Sequence, residues 1–169
     1  MSHRKSLRKS QAVSIVHQVL SAPDLDEVFN YASARLAQQE PDPNERTLKS
    51  WSMKWRREAL EHYLKIGWSF IAREAENAGG DPKVVGFFLG QPFLFFRGQT
   101  QTLWVEHIEA DNETVKAALI EVAVKIAREK HLQRVLFSEA SLHADALKAW
   151  SATVLNDEEA IAVVKTTKG

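Results

Sequence analysis

The sequence predicts an α+β fold: a mixed, mostly antiparallel twisted sheet flanked by helices, with one parallel strand-helix-strand crossover. Three observations carry that expectation. Residues 103–137, LWVEHIEADNETVKAALIEVAVKIAREKHLQRVLF, read as a strand, an abrupt turn, one long helix and a second strand. Strands joined in this way through a helix lie parallel with a right-handed crossover. After Gly67 the apolar period changes from that of helices to that of strands. Three such strands then follow one another across short turns, the pattern of an antiparallel meander.

Composition sets outer limits. A chain of 169 residues is long enough to bury a substantial core in one domain. Lysine plus arginine equals aspartate plus glutamate, 22 against 22, so no global field draws the chain toward nucleic acid or an anionic membrane. Cysteine is absent, which removes disulfides, thiolate metal sites and a cysteine nucleophile. The sequence has no apolar run near the roughly 18 residues of a membrane span, and no secretory leader is expected. A soluble cytoplasmic protein without a membrane partner is expected.

Element by element, the reading begins with residues 1–10, which carry Arg4, Lys5, Arg8 and Lys9 without apolar periodicity and are expected to form a mobile basic arm; residues 11–169 form the single domain. AVSIVHQVL, residues 12–20, is β-branched and alternating, as a strand is. Ser21 or Asp24 caps a first helix with the stripe Leu25, Val28, Phe29, Ala32 and Leu36, and EPDPN at 40–44 ends it. A second helix is expected from about Glu45 to Lys65, its apolar side formed by Leu48, Trp51, Trp55, Ala59 and Tyr63. WSFIARE, KVVGFFLGQPFLFF and TLWVEHIE are the meander strands, and Gly90 and Pro92 mark a bulge or an edge in the middle one. In the long helix Val115, Leu119, Val122 and Ile126 form the buried stripe, with Ala118 and Ala123 allowing close approach to the sheet. RVLFSEA is a buried strand; a short helix at 144–150 and a last strand at 160–165 follow.

In this order the elements resemble the GNAT superfamily of acyl-CoA-dependent N-acyltransferases over nearly the whole chain. Three stretches carry the resemblance. SAPDLDEVFNYA is similar to the opening of that family's first helix, KVVGFFLGQPFLFFRGQTQTLWVEHIEA to its third and fourth strands, notably in spermidine/spermine-type diamine acetyltransferases, and HADALKAW to its fourth helix. The resemblance implies six to seven strands with about four helices, and transfer of an acetyl group from acetyl-CoA, as co-substrate, to a small amine, a polyamine-like amine or a peptide amine. Family habit adds a possible homodimer. Glu106 matches a carboxylate position of the diamine-type enzymes and is the expected base, acting through water, and the anchor for a cationic amine. Its competing role is that of a solvated strand carboxylate. Donor contacts are expected at His107, Ile108 and Glu109, where pantetheine would pair with strand backbone, and at Thr114 and Lys116 at the start of the long helix. By strand alternation His107 points to the face opposite Glu106, as a core or interface histidine.

The diphosphate half of the fingerprint is missing. Where the family has a glycine-rich loop of backbone N–H groups, this chain has Asp111, Asn112 and Glu113 in a connection about one helical turn shorter. A side-chain oxygen there caps the helix and the acids complement its dipole. At the fourth helix Trp150 stands where many members place tyrosine, and an indole cannot serve as the acid. Two readings follow: a divergent acyltransferase with Glu106 as base, preferred for its acceptor strand, or a GNAT-like interaction or regulatory domain that has lost CoA binding. Nucleic-acid binding through KWRR, residues 54–57, ranks below a buried Trp55 with a solvated basic face. The six histidines show no zinc spacing, so no metal is expected. Ser138 and Glu139 read as a strand exit.

Overall fold

The computed structural model describes residues 14–75, 81–96, 99–156 and 161–166; the basic arm lies outside them. The strands are β1 (Ser14–Val19), β2 (Phe70–Ala75), β3 (Lys83–Phe96), β4 (Gln99–Ala110), β5 (Arg134–Phe137), β6 (Thr153–Asn156) and β7 (Ile161–Lys165). They form one seven-stranded sheet in the order β1-β2-β3-β4-β5-β7-β6. Every pairing is antiparallel except β4 with β5. The parallel pair is the one the crossover predicts, joined by α4 (Glu113–Glu129). The four-residue β6 was not anticipated: Val154 and Leu155 face outward, so TVLN lacks the alternation that marks a half-buried strand.

Helices cover both faces. α4 packs Val115, Leu119, Ile120, Ala123, Val124 and Ala127 onto a core with Phe88, Leu103, Val105 and Ile108. Its buried stripe is rotated slightly from the expected one, leaving Val122 and Ile126 half-buried. On the other face α1 (Leu25–Gln39) and α3 (Arg57–Ile66) bury Val28, Ala32, Leu36, Leu60 and Tyr63 against Ile71, Phe87 and Leu89. Fully burying a side chain such as Phe87 or Phe88 contributes about 1.5–3 kcal/mol. α5 (Ala144–Lys148) follows a 3-10 turn at Ala140–His143 and closes the α4 side.

The expected second helix is two helices, α2 (Pro43–Ser52) and α3, separated at 53–56. Asp42 caps α2, accepting from the Asn44 and Glu45 N–H groups at 2.8 and 3.2 Å, and Pro43 takes the first helical position. The apolar side divides in the same way. α2 buries nothing, with Leu48 and Trp51 exposed, whereas Trp55 is 3% exposed and meets Phe29 edge-on at 5.9 Å. A continuous helix would hold Trp51 and Trp55 on one face, four residues apart. Extended backbone at Met53 (ψ 139°) releases Trp55 into the core and turns Lys54 toward the sheet. Gly67 then ends α3 in the left-handed region (φ 70°), which suits glycine.

Gly90 and Pro92 mark their surroundings correctly. β2 pairs β3 only as far as Phe88, so Pro92 lies where β3 has a neighbour on one side alone. The register of β3 on β4 shifts between Leu89 and Gly90, whose partners are His107 and Val105. Glu106 is therefore an extra residue on β4, a β-bulge.

Gly86 sits under α4, where β3 and the helix are in close contact. A Cβ there would lie 2.8 Å from the Glu109 carbonyl oxygen and 3.0 Å from both Leu119 Cδ1 and Val115 Cγ1. Because the nearest of these atoms is backbone, Gly86→Ala is expected to destabilise the fold by about 1–3 kcal/mol through overpacking, read as a lower urea midpoint with unchanged slope.

Candidate active site at the strand fork

β4 and β5 pair over only four residues, Thr102–Val105 against Arg134–Phe137. The Ser138 N–H still reaches the Val105 carbonyl at 3.0 Å. Beyond that point β5 ends in a turn at Glu139, held at φ 55°, while β4 runs on to Ala110 paired only with β3. The two strands therefore part beside Glu106, where Lys54 Nζ lies between the Glu106 carbonyl on β4 and Ser138 Oγ just past β5.

The bulge decides which side chains face this fork. Trp104 and Glu106 lie on the α1–α3 face, where the indole N–H donates to the Glu106 carboxylate. His107 lies on that face too, pairing with Leu89 in register and packing against Phe87. Strand alternation predicted opposite faces for Glu106 and His107; the extra residue at the bulge corrects this by turning two consecutive side chains the same way. Ile108 then points into the α4 core, 6% exposed, so it has only backbone to offer, and Glu109 returns to the α1 side.

Around the fork the charges interlock. Lys54 Nζ lies 2.5 Å from Ser138 Oγ, 3.3 Å from the Glu106 carbonyl oxygen, 3.4 Å from Glu106 Oε1 and 3.7 Å from Glu139 Oε1. His107 is set between two carboxylates, its Nε2 3.6 Å from Glu109 and its Nδ1 3.5 Å from Glu139. Burial opposes charge on the imidazole, yet the two carboxylates outweigh it and raise its pKa above the ordinary value. Glu139 is held below the usual carboxylate range, chiefly by His107 and then by Lys54. Glu109 also lies low: burial raises it, but His107 and Arg35 outweigh that cost, with Arg35 Nε 2.5 Å from its carboxylate. Tyr63, buried and near Glu106, has its phenol pushed up to about 12.

Beyond the fork, the N-terminus of α4 is capped by a side chain. Only Asp111 and Asn112 connect β4 to α4. Asn112 accepts from the Val115 N–H at 3.0 Å, completing the expected cap. Asp111 turns away from the helix: its carboxylate accepts from Tyr31 at 2.9 Å and Arg35 at 3.1 Å, and its N–H bonds the Val85 carbonyl at 2.8 Å. Thr114 is exposed in the first turn. Lys116 pairs with Glu113 at 2.6 Å and donates to the Leu142 carbonyl at 3.1 Å, tying α4 to the turn before α5. At this terminus the Val115 N–H is taken by the Asn112 side chain and the Asp111 N–H by the Val85 carbonyl, and Glu113 places a carboxylate in the first turn.

No protein-family model and no curated protein matches the sequence. Solved structures do match. A PaiA N-acetyltransferase from Thermoplasma acidophilum, in complex with coenzyme A, superposes with a TM-score of 0.61 at 14% identity, covering 90% of this chain and 99% of that one. A Drosophila melanogaster polyamine N-acetyltransferase that forms N-acetylagmatine gives 0.62 at 13% identity over 85% of each chain. A chain of the NatC complex, bound to Gag peptide and CoA, gives 0.60 at 12% identity over 91% of this chain and 99% of that one. The fold is that of the GNAT N-acetyltransferases. On this GNAT frame the predicted residues divide: Glu106, His107 and Glu109 meet at the fork, while Thr114 and Lys116 stand apart at the capped start of α4.

Sequence reasoning missed Lys54, Ser138, Glu139, Arg35 and Tyr31. Ser138 and Glu139 had a usable signal, since they directly follow the parallel strand at its carboxyl end, where open sheets place ligands. Lys54 had none, because its position depends on the helix break. Trp55 is core, as the preferred reading of KWRR had it, whereas Trp51, expected on the same apolar side, is 65% exposed.

His143 is 2% exposed and neither ring nitrogen meets a hydrogen-bond partner among the described residues. Burial first, and then Lys116, lowers its pKa to about 4. The unfolded chain therefore binds the extra proton between about pH 4 and 6.5, so this group costs stability as pH falls through that window. Replacing it by His143→Leu is expected to flatten the rise of unfolding free energy between about pH 4 and 6.5, as measured by urea titrations at several pH values.

Proposed function

We propose that the protein is an acyl-CoA-dependent N-acyltransferase that moves an acyl group from acetyl-CoA, or a similar thioester, to a cationic amine. The observation that carries this reading is the fork itself: β4 and β5 separate where Glu106 projects from a bulge. The acidic surroundings, Glu106, Glu109 and Glu139, support an amine acceptor of the small or polyamine-like kind named for the diamine-type enzymes, or a peptide amine.

In this mechanism the thioester arm lies along β4 backbone beyond Val105, and the acceptor enters from the α1–α3 side. The thioester is already activated, so much of the acceleration comes from holding amine and carbonyl carbon in attack geometry. Glu106 takes a proton from the ammonium, directly or through one water, and general-base help of this kind is worth about 10²–10⁴-fold. The amine adds to the carbonyl carbon, the C–S bond breaks with its electron pair leaving on sulfur, the nitrogen loses its second proton and the thiolate is protonated, so that one ammonium and one thioester give one amide, one thiol and one proton. Trp104 orients the Glu106 carboxylate through its indole N–H. Donor affinity resides in the fork rather than at the helix terminus.

A second reading, a GNAT-like interaction domain without donor binding, is favoured by the Asn112 cap and the Lys116 tie to Leu142. Calorimetry with acetyl-CoA separates the two: measurable heat is expected, and none at millimolar ligand eliminates the enzyme. Within the enzyme reading, Glu106→Gln is expected to lower kcat/KM by about 10²–10⁴-fold while the heat of acetyl-CoA binding persists. With the Asn112 cap and Glu113 at the start of α4 and donor affinity residing in the fork, exchanging acetyl-CoA for the short thioester of N-acetylcysteamine is expected to cost under about tenfold in apparent affinity, the equivalent of about 1.4 kcal/mol.

A further inference from the structure

The break between α2 and α3 places one lysine inside the site. Lys54 Nζ contacts oxygens of Ser138, Glu106 and Glu139, including both the carbonyl and the carboxylate of Glu106. Other lysines pair elsewhere: Lys49 with Glu40, Lys116 with Glu113 and Lys148 with Asp145. An acceptor amine needs a carboxylate to take its proton and a position at the mouth of the fork, and Lys54 Nζ has both.

The geometry points to Lys54 as an intramolecular acyl acceptor: its ε-amine occupies the acceptor subsite and takes the acyl group from a thioester bound in the fork. This inference rests on the acyltransferase reading. The ammonium first gives a proton to Glu106, and the neutral nitrogen adds to the thioester carbonyl carbon. On collapse the C–S bond breaks, the nitrogen loses its second proton and the thiolate is protonated. The balance is one ammonium and one thioester in, one amide, one thiol and one proton out. The amide carries no charge, so acylation breaks the ion pairs with Glu106 and Glu139 and frees both carboxylates for an external cationic amine.

The test incubates the full chain with acetyl-CoA and, in parallel, with the acetyl thioester of N-acetylcysteamine, and follows each lysine by peptide mass spectrometry. Lys54 is expected to be acetylated at least about tenfold faster than exposed Lys148, which corresponds to about 1.4 kcal/mol of barrier. The rate should not depend on protein concentration, and the preference should vanish in urea. Glu106→Gln, with its fold checked by circular dichroism, should bring Lys54 down to the rate of Lys148. A readout without donor is the affinity for butylamine: Lys54→Gln, whose neutral amide stands for the acylated side chain, is expected to bind it about tenfold more tightly than the native protein. Lys54 modified no faster than Lys148, or a preference surviving in urea, overturns the inference, as does equal or weaker butylamine binding by the variant. If acetyl-CoA binds and external amines are acetylated while Lys54 stays unmodified, only this inference falls; absence of acetyl-CoA binding removes the acyltransferase reading as well.

Discussion

One extra residue in β4 organises the site. Glu106 has no partner on β3, because Leu89 and Gly90 face His107 and Val105 across it. A bulge bends its strand and increases the local twist, and this one falls one residue past the last β4–β5 pair, Val105 with Phe137. The fork and the bulge therefore coincide. The same insertion turns Glu106 and His107 toward one face, where Lys54, Glu139 and Arg35 reach them and their neighbours. Without it, alternation would turn His107 to the α4 face with Val105, and the charge cluster would not assemble.

That cluster alternates in sign, and this keeps it ionised in a half-buried setting. Glu139 lies between Lys54 and His107, His107 between Glu139 and Glu109, and Glu109 between His107 and Arg35. Each carboxylate loses hydration but gains a cation on each side, and its pKa falls below the ordinary range. His107 gains two anions, and its pKa rises. The chain runs from the α2–α3 break through the fork to α1. It couples the walls of the acceptor side to the strand that holds the proposed base.

What the sequence made legible was local, and what it hid was tertiary. The meander and α4 were visible because their apolar periods are set within a few residues, and Gly90 with Pro92 marked the irregular stretch of β3. The bulged residue itself sits across the ladder on β4, where WVEHIE shows nothing unusual, so alternation assigned His107 the wrong face. Trp51 and Trp55 stand four apart and fit a continuous helix. Only the demand of the core for Trp55, and not for Trp51, breaks it. The Lys54 contacts follow from that break and could not be read before it. At the helix end the reverse held: the Asn112 cap was readable from residue type, but the turn of Asp111 back toward Tyr31 and Arg35 was not, since those partners lie 80 and 76 residues away.

The Asp111 latch also bears on how the donor is recognised. A diphosphate seated at α4 would need backbone N–H groups in the connection from β4, yet the Asp111 N–H is committed to Val85 and its carboxylate to two side chains of α1. Freeing that connection would cost the Asn112 cap, about 0.5–2 kcal/mol, together with two hydrogen bonds to α1 and one to β3. The anion would then meet Glu113 in the first turn. Opening the terminus thus weakens the packing that positions Glu109 and, through it, His107. In the proposed reaction, selection of the donor is left to the fork, where β4 beyond Val105 pairs with β3 but no longer with β5 and where Lys54 contacts the Glu106 carbonyl.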